Sequence, residues 1–345
     1  MKRNTLILTA IALLAHISNA QQESIFGNAA FNPYLINPAA GGMGSVMQFE
    51  TTYRTQWIGY NGGPRTIAFT GFSPIKTSGE KVLQEYNYHD DALFGLPERT
   101  TGSTKHIVGG KLMNDAIGPF SKSSVKLSYA IHLPLTKTIN FGAGLSAGWS
   151  NLRLNESRVV LDDAVDNSYA QFLGGTNFQN ILDANAGIVL YNKSLFLGLS
   201  TNQLLNNMVQ FNDVETLSRY NRHFNLQGSF RFEAGNKIEL EPTLLARYVK
   251  NSPLSADIGL RTIINNSSWL SLQYRTSNAL VVKVGSTLVK NLYLCYGYEH
   301  SLGALQSTNS GSHEIQLGII LGNNRNLSKE IEDSKQGAVP VEQGQ

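Results

Sequence analysis

The chain has 345 residues, of which 41% are hydrophobic and only 15% charged, against about 25% charged in an average soluble domain. Its 15 Phe, 14 Tyr and 3 Trp exclude a disordered chain, and its lone cysteine, Cys295, excludes a disulfide framework or a Cys-rich metal site. A formal net charge of +3, part of it in Lys2 and Arg3, leaves no basic stripe for phosphates, so no nucleic-acid partner is expected.

Taken in chain order, Lys2-Arg3, the apolar run from Leu6 to Ile17 and the small residues of Ser18-Asn19-Ala20 read as a signal peptide over residues 1–20. The run is shorter than the roughly 20 residues of a membrane-spanning helix. Gln21 rather than cysteine follows the expected cut, so the mature chain is exported without lipoprotein processing. Residues 21–44 are expected to form a short periplasmic or plug-like segment. Asn32-Pro33 and Asn37-Pro38 restrict the backbone and remove two amide donors, which rules out a regular paired strand. The segment is expected to lie against the mouth, or inside the lumen, of the barrel that the following residues predict. Phe31, Tyr34, Leu35 and Ile36 are its apolar anchors.

From residue 45 to residue 322 the dominant signal is alternation. Val125, Leu127, Tyr129, Ile131 and Leu133 alternate with Lys126, Ser128, Ala130 and His132; Ile315, Leu317, Ile319 and Leu321 alternate with Glu314, Gln316 and Gly318. Each series puts one apolar face opposite one polar face. Strands are predicted over 45–58, 64–75, 103–113, 122–134, 137–150, 180–192, 193–201, 220–234, 236–249, 252–264, 267–277, 279–289, 291–301 and 311–322. These segments are longer than the five or six residues usual in soluble strands and suit an oblique bilayer crossing. The fold class is therefore all-β: a transmembrane antiparallel β-barrel of about 14 strands, in contact with outer-membrane lipid. Tyr53, Trp57, Tyr60, Tyr191, Tyr220, Tyr248, Trp269, Tyr274, Tyr293, Tyr296 and Tyr298 lie near strand ends and read as interfacial girdles. An inward set is expected of Lys126, Arg231, Glu233, Glu239, Glu241, Arg247, Asp257, Arg261, Arg275, Lys283 and Glu299. Residues 323–345 read as a polar tail.

The stretch Phe31-Asn32-Pro33-Tyr34-Leu35-Ile36-Asn37-Pro38-Ala39-Ala40-Gly41, followed by Tyr53-Arg54-Thr55-Gln56-Trp57-Ile58-Gly59-Tyr60-Asn61-Gly62-Gly63-Pro64-Arg65-Thr66, resembles the opening of the PorP/SprF family. Further matches come in order: Asn114-Asp115-Ala116-Ile117-Gly118-Pro119, Phe141 to Gly148, Arg222-His223-Phe224, Tyr248 to Leu254, Tyr296-Gly297-Tyr298-Glu299, and Ser310 to Ile315. The family's usual tyrosine in its Asn-Pro-Ala-Tyr-Ala-Gly motif is missing from Asn37-Pro38-Ala39-Ala40-Gly41. The resemblance implies an outer-membrane barrel of the type IX secretion and gliding machinery in a Gram-negative, Bacteroidota-type cell. It implies assistance in export or anchoring of secreted adhesins or other cargo, periplasmic secretion components as partners, and no catalytic residue.

No enzyme site or cofactor emerges. His313-Glu314 lacks the second histidine of a zinc motif, and the two residues point to opposite faces of a strand. Asp90-Asp91 and the group Asp162, Asp163 and Asp166 lack the ligand series of a calcium loop and read as solvated loops. Ser146 in Gly144-Leu145-Ser146-Ala147-Gly148 lies in a strand pattern, not on the strand-to-helix elbow that a hydrolase requires. Gly142-Ala143-Gly144 reads as glycine in a crowded barrel interior. Partner recognition is expected on the long connections 76–102, 151–179 and 202–219, with Asp162, Asp163, Asp166, Tyr169 and Phe172 as acidic and aromatic contacts. The alternative reading is a diffusion channel for small solutes whose inward charges select what passes.

Overall fold

In a computed structural model of the chain, the described residues are 26–27, 29, 31–44, 46–75, 104–159, 177–211, 214–289 and 291–321. Strands β1 (Met47–Thr55), β2 (Arg65–Ile75), β3 (Lys105–Ile117), β4 (Phe120–Pro134), β5 (Asn140–Leu154), β6 (Phe178–Tyr191) and β7 (Leu195–Asn202) follow one another as an antiparallel meander. A separate hairpin, β8 (Met208–Phe211) and β9 (Val214–Arg219), stands in the next connection. β10 (His223–Phe230) and β11 (Phe232–Gly235) are two parts of one wall strand broken at Arg231, since both pair with β12 (Ile238–Val249). The meander continues through β13 (Ser255–Ile264), β14 (Ser268–Arg275), β15 (Ala279–Val289), β16 (Leu292–Ser301) and β17 (Ser312–Leu321). β17 then pairs with β1 from Met47↔Leu321 to Thr55↔His313, which closes the sheet on itself. With β10 and β11 taken as one strand, the wall is a closed antiparallel barrel of 14 strands.

The two faces of this wall are inverted relative to a soluble sandwich. Leu127, Leu145 and Leu182 are 71%, 65% and 67% exposed, whereas Arg54 and Lys283 are each 1% exposed. An apolar outer face around a polar interior is the arrangement that hydrocarbon demands, and closure leaves no unpaired edge in it. Period two produces both faces. In β17, Glu314 and Gln316 are buried while Ile315 and Leu317 are exposed.

Strand alternation sorts the connections onto two rims. The rim where β1 starts carries the connection 76–104 beside the tight turns 135–139, 192–194, 236–237 and 265–267. Asn265 and Asn266 both have φ of +52°, the left-handed backbone that tight hairpins favour and asparagine tolerates. The opposite rim carries 56–64, 155–177, 203–222 and 302–311. The expected connection 151–179 is narrower than anticipated, because β5 runs on to Leu154 and β6 starts at Phe178. The expected connection 202–219 contains the β8–β9 hairpin.

Two expectations need correction. Tyr191, Trp269, Tyr293 and Tyr220 do not belong to outer girdles; all four are buried. Trp269 and Tyr293 have the strand parity of the inner face and pack with Ile263, Cys295 and Ile320. Tyr53, Tyr60, Tyr248, Tyr274 and Tyr296 are exposed, as girdle residues must be. Glu233 is also outside the inward set, since all of β11 is exposed beyond the break at Arg231.

Candidate functional site

The lumen is occupied by described residues that precede β1, Pro33–Leu35 and Pro38–Ala40 among them. Each Asn-Pro pair starts a single 3-10 turn, Pro33–Leu35 and Pro38–Ala40, and proline at the first position costs nothing because that amide has no partner in the turn. Asn37 caps the second turn by accepting from the Ala39 amide at 3.0 Å. Asn32 makes no such cap; its side-chain amide donates instead to Glu50 Oε1 at 2.7 Å and to Thr70 Oγ1 at 3.2 Å. The turns therefore expose side chains to the wall rather than pairing with it as a strand.

The four anchor residues of this segment are placed together inside the barrel. Phe31 packs on Trp269 with ring centroids 6.3 Å apart, and Arg261 lies 4.7 Å and Lys283 5.2 Å from its ring centre. Such cation–ring contacts gain strength when desolvated. The Tyr34 and Ser128 hydroxyls are 2.6 Å apart, and the Tyr34 ring meets Phe72 edge-on at 5.1 Å. Burial pushes the Tyr34 hydroxyl above its ordinary pKa. Leu35 joins Phe26, Ala29, Ala68, Met113 and Leu245 in an apolar cluster, with Ile36 packed on it. The Leu35 carbonyl accepts from Lys111 Nζ at 2.8 Å. Leu35, Asn37 and Ala39 are 1%, 0% and 0% exposed.

The wall from β3 to β7 meets the segment with glycine. A Cβ on Gly144 would stand 2.6 Å from the Ala39 amide nitrogen, and one on Gly187 would overlap Asn37 Oδ1. Asn37 Nδ2 donates there to the carbonyls of Ile188 and Leu199 at 3.2 and 3.3 Å. His132 Nε2 donates to the Ala39 carbonyl at 3.0 Å, which leaves Nδ1 to accept from the Tyr191 hydroxyl at 2.8 Å. Gly142 and Gly144 are thus part of a packed interior, with Ala143 between them on the outer face. Ser146 lies on a regular strand with no elbow.

The opposite wall meets the segment with charge. Arg247, Asp257, Arg275, Glu299, Arg54, Glu314 and Lys283 form one chain of ion pairs with N–O distances between 2.6 and 3.2 Å. Glu314 Oε2 also accepts from the Gly27 amide at 3.0 Å. Glu314 is the third residue of β17, so the segment runs along most of the lumen before β1 begins. A second group joins Arg231, Glu241 and Arg261 at 2.5 to 2.9 Å. Arg54, Glu314, Glu50, Lys111 and Asp183 are buried members of the interior that the inward set missed. The parity of Gln48, Glu50, Thr52 and Arg54 against Phe49, Thr51 and Tyr53 was the available signal. His313 and Glu314 do face opposite ways: His313 Nδ1 lies 2.6 Å from the Tyr296 hydroxyl, while Glu314 is in the lumen.

Asp162, Asp163, Asp166, Tyr169 and Phe172 lie outside the described residues, as do Asp90, Asp91 and the tail. At the base of their connection, Leu154 N donates to Asn177 O at 2.8 Å. Nearby, Tyr220 is buried under Lys122, whose Nζ is 4.1 Å from the ring centre. Burial and Asp115 push the Tyr220 hydroxyl up to about 12.

Residues 18–319 match the family of type IX secretion system membrane proteins PorP/SprF. Among curated proteins none matches the chain. The chain is also similar to three solved structures. The Acinetobacter baumannii outer membrane protein Omp33 is 7% identical with a TM-score of 0.42, covering 81% of this chain and all of its own. The monoaromatic hydrocarbon channel CymD is 10% identical with a TM-score of 0.46, over 86% of this chain and 92% of its own. The Pseudomonas putida toluene transporter TodX is 9% identical with a TM-score of 0.42, over 87% and 94%. The closed barrel with its apolar outer face is an outer-membrane architecture, and the chain belongs to the PorP/SprF family of type IX secretion system membrane proteins.

Proposed function

We propose that the protein is a non-enzymatic scaffold of the type IX secretion and gliding machinery, which assists export or anchors surface cargo from the outer membrane of a Bacteroidota-type cell. The observation that carries this reading is the filled lumen: Leu35, Asn37 and Ala39 are buried between a ladder of ion pairs and a glycine-lined wall. A diffusion channel needs a wet lumen whose charges face the solute; here the charges face each other. In this reading residues 1–20 are the signal peptide, 21–44 the plug, 45–322 the barrel and 323–345 a tail. Apart from 76–104, the connections on the rim where β1 starts are tight turns, the usual periplasmic pattern, which assigns that rim with 76–104 to the periplasm and 155–177 and 203–222 on the opposite rim to the cell surface. Asp162, Asp163, Asp166, Tyr169 and Phe172 then offer a surface partner acidic and aromatic contacts. Periplasmic secretion components meet the other rim, and lipid covers the wall.

Two measurements test this. In a planar bilayer the intact protein is expected to hold no large steady conductance, and deletion of residues 26–41 is expected to open one. In cells, loss of the gene is expected to reduce secreted or surface-anchored proteins, and crosslinking from the 155–177 loop to capture cargo. Steady conductance of the intact protein, with secretion unchanged and uptake of one solute lost, would establish the channel instead.

A further inference from the structure

The wall is not equally tall all round. β3, β4, β5 and β6 span 13 to 15 residues, whereas β7 and β10 span 8 each. The outermost β6–β7 pair is Ala186↔Thr201, so β6 from Asn185 back to Phe178 has β5 on one side and no ladder on the other. The connection after β7 satisfies the first part of that edge. Leu204 N donates to Ala184 O at 3.0 Å, and Asn207 Nδ2 donates to Leu182 O at 2.8 Å. Backbone direction alternates along a strand, so Asn180 and Phe178 present their amides and carbonyls on this same side. Among the described residues no backbone group bonds them there. The β8–β9 hairpin is a separate sheet and meets this part of β6 through the Gln179 side chain, which donates to Met208 O at 2.8 Å.

This edge stands beyond the hydrocarbon. On the outer face the row Leu112↔Val125↔Trp149↔Leu182 is exposed and apolar, with a tryptophan of the kind that marks a membrane interface. The next row toward the rim is Asn114↔Ser123↔Asn151↔Asn180. There Asn114 Nδ2 donates to Ser123 Oγ at 2.8 Å, and Asn151 Nδ2 donates to Asn180 Oδ1 at 2.9 Å. Four polar side chains in a row belong in water or among headgroups, not among acyl chains. Hydrocarbon therefore ends between Leu182 and Asn180, and acyl chains do not cover the free part of the edge.

An exposed strand edge fits another strand, whose backbone supplies the missing partners about 4.8 Å away. Edges that are not used for pairing carry devices against it, such as a bulge or a charge. β11, the wall edge on the opposite rim, has both, in the register shift between Glu233 and Gly235 and in Glu233 itself. Phe178-Gln179-Asn180-Ile181-Leu182 holds no proline, glycine or charge and pairs with β5 without a bulge. Beside it the exposed Arg153, opposite Phe178, and the exposed Arg158 have no acidic partner among the described residues. An added segment with an acid at that end complements them. We propose that the outer end of β6, from Phe178 to Leu182, is a docking edge to which a partner protein adds an extended segment as one more strand. That the partner is secreted cargo rests on the surface position proposed above for this rim; the strand addition itself does not.

The test uses the full chain in mild detergent and a fluorescein-labelled heptapeptide, Asp-Val-Thr-Val-Thr-Val-Thr, followed by fluorescence anisotropy. Wild type is expected to bind it saturably. The same peptide N-methylated throughout has no amide to donate and is expected to bind at least tenfold more weakly. Asn180→Pro and Phe178→Pro each delete an outward amide and no bond to β5, and each is expected to lower affinity at least tenfold. Heat-shifted electrophoretic mobility reports which variants have folded, and one folded variant suffices. No saturable binding by wild type, equal binding of the two peptides, or equal binding by a folded proline variant would overturn the proposal. So would binding that appears only after deletion of residues 160–176, which would give the edge to the chain's own connection. A disulfide between two copies of Asn180→Cys would overturn it too, by giving the edge to a second copy. If the peptide binds as expected while labelling of whole cells places this rim in the periplasm, the docking edge stands and the function proposed above falls.

Discussion

From β12 through β17 to β1 the inner wall carries Arg54, Asp257, Arg275, Lys283, Glu299 and Glu314 in a continuous chain of ion pairs. From β3 to β7 and on to β10 it carries Gly109, Gly144, Gly187 and Gly198 beside Asn185, Asn225 and Gln227, with Lys126–Asp183 as an ion pair. The same N-terminal segment touches both. On the charged side Gly27 and Phe31 meet groups that already satisfy one another. On the glycine side Asn37 and Ala39 occupy space that side chains would otherwise fill. The charged half stabilises the wall, and the glycine half selects what lies against it.

The largest test of that contrast is Glu314→Gln. It removes the carboxylate that Lys283 and Arg54 share, while Arg54 keeps Glu299, and removing one member of a buried ion pair costs about 3–5 kcal/mol. Unfolding in urea, followed by heat-shifted mobility, is expected to show the whole barrel weakened. Gly144→Ala is expected to cost less, about 1–3 kcal/mol, because an added methyl must displace the Ala39 backbone rather than a flexible side chain. Its signature is also different. Protease should cut near Ala39 while the barrel keeps its folded mobility. If Gly144→Ala weakened the wall as much as Glu314→Gln and left the segment protected, the division between the halves would be wrong.

Asn37→Ala sharpens the glycine side further. It deletes a turn cap and two bonds to the Ile188 and Leu199 carbonyls. Loss of a cap costs about 1 kcal/mol. The expected outcome is faster amide exchange from Ala39 to Gly41 with little change in the urea midpoint of the barrel.

Fourteen wall strands and their approximate places were legible because each repeats period two against hydrocarbon, a signal that needs no partner to be read. The Asn-Pro pairs also disclosed that residues 31–41 could not be a wall strand. What pairing creates was not legible. Arg54 and Glu299 are 245 positions apart, and only the closure of β1 on β17 and β17 on β16 brings them together. Trp269 and Tyr293 lie near strand ends, but parity decides their face: Leu270 and Leu272 fix the outer face of β14, which turns Trp269 inward. The break at Arg231 had no sequence signal beyond an arginine between two phenylalanines. The depth of the segment in the lumen depends on glycines whose inward direction follows only from register.

The smallest expected effect lies within the charged half and tests whether burial, rather than charge itself, makes it strong. Arg231 stands 3.8 Å from Glu239 and 2.9 Å from Glu241. The Glu239 side chain is 24% exposed and the Glu241 side chain 5%. Water screens the first pair and compensates a loss there, whereas Glu241 also holds Arg261 away from solvent. Glu239→Gln is therefore expected to change stability by less than about 1 kcal/mol, the usual range for a solvated pair. Glu241→Gln is expected to approach the cost of Glu314→Gln. Urea titrations of the two variants at low and high salt separate them further, since added salt should erase the Glu239 effect and leave the Glu241 effect. Equal losses from both variants would mean that the rim ions act as one unit with the buried ladder, and the gradient from rim to interior would have to be abandoned.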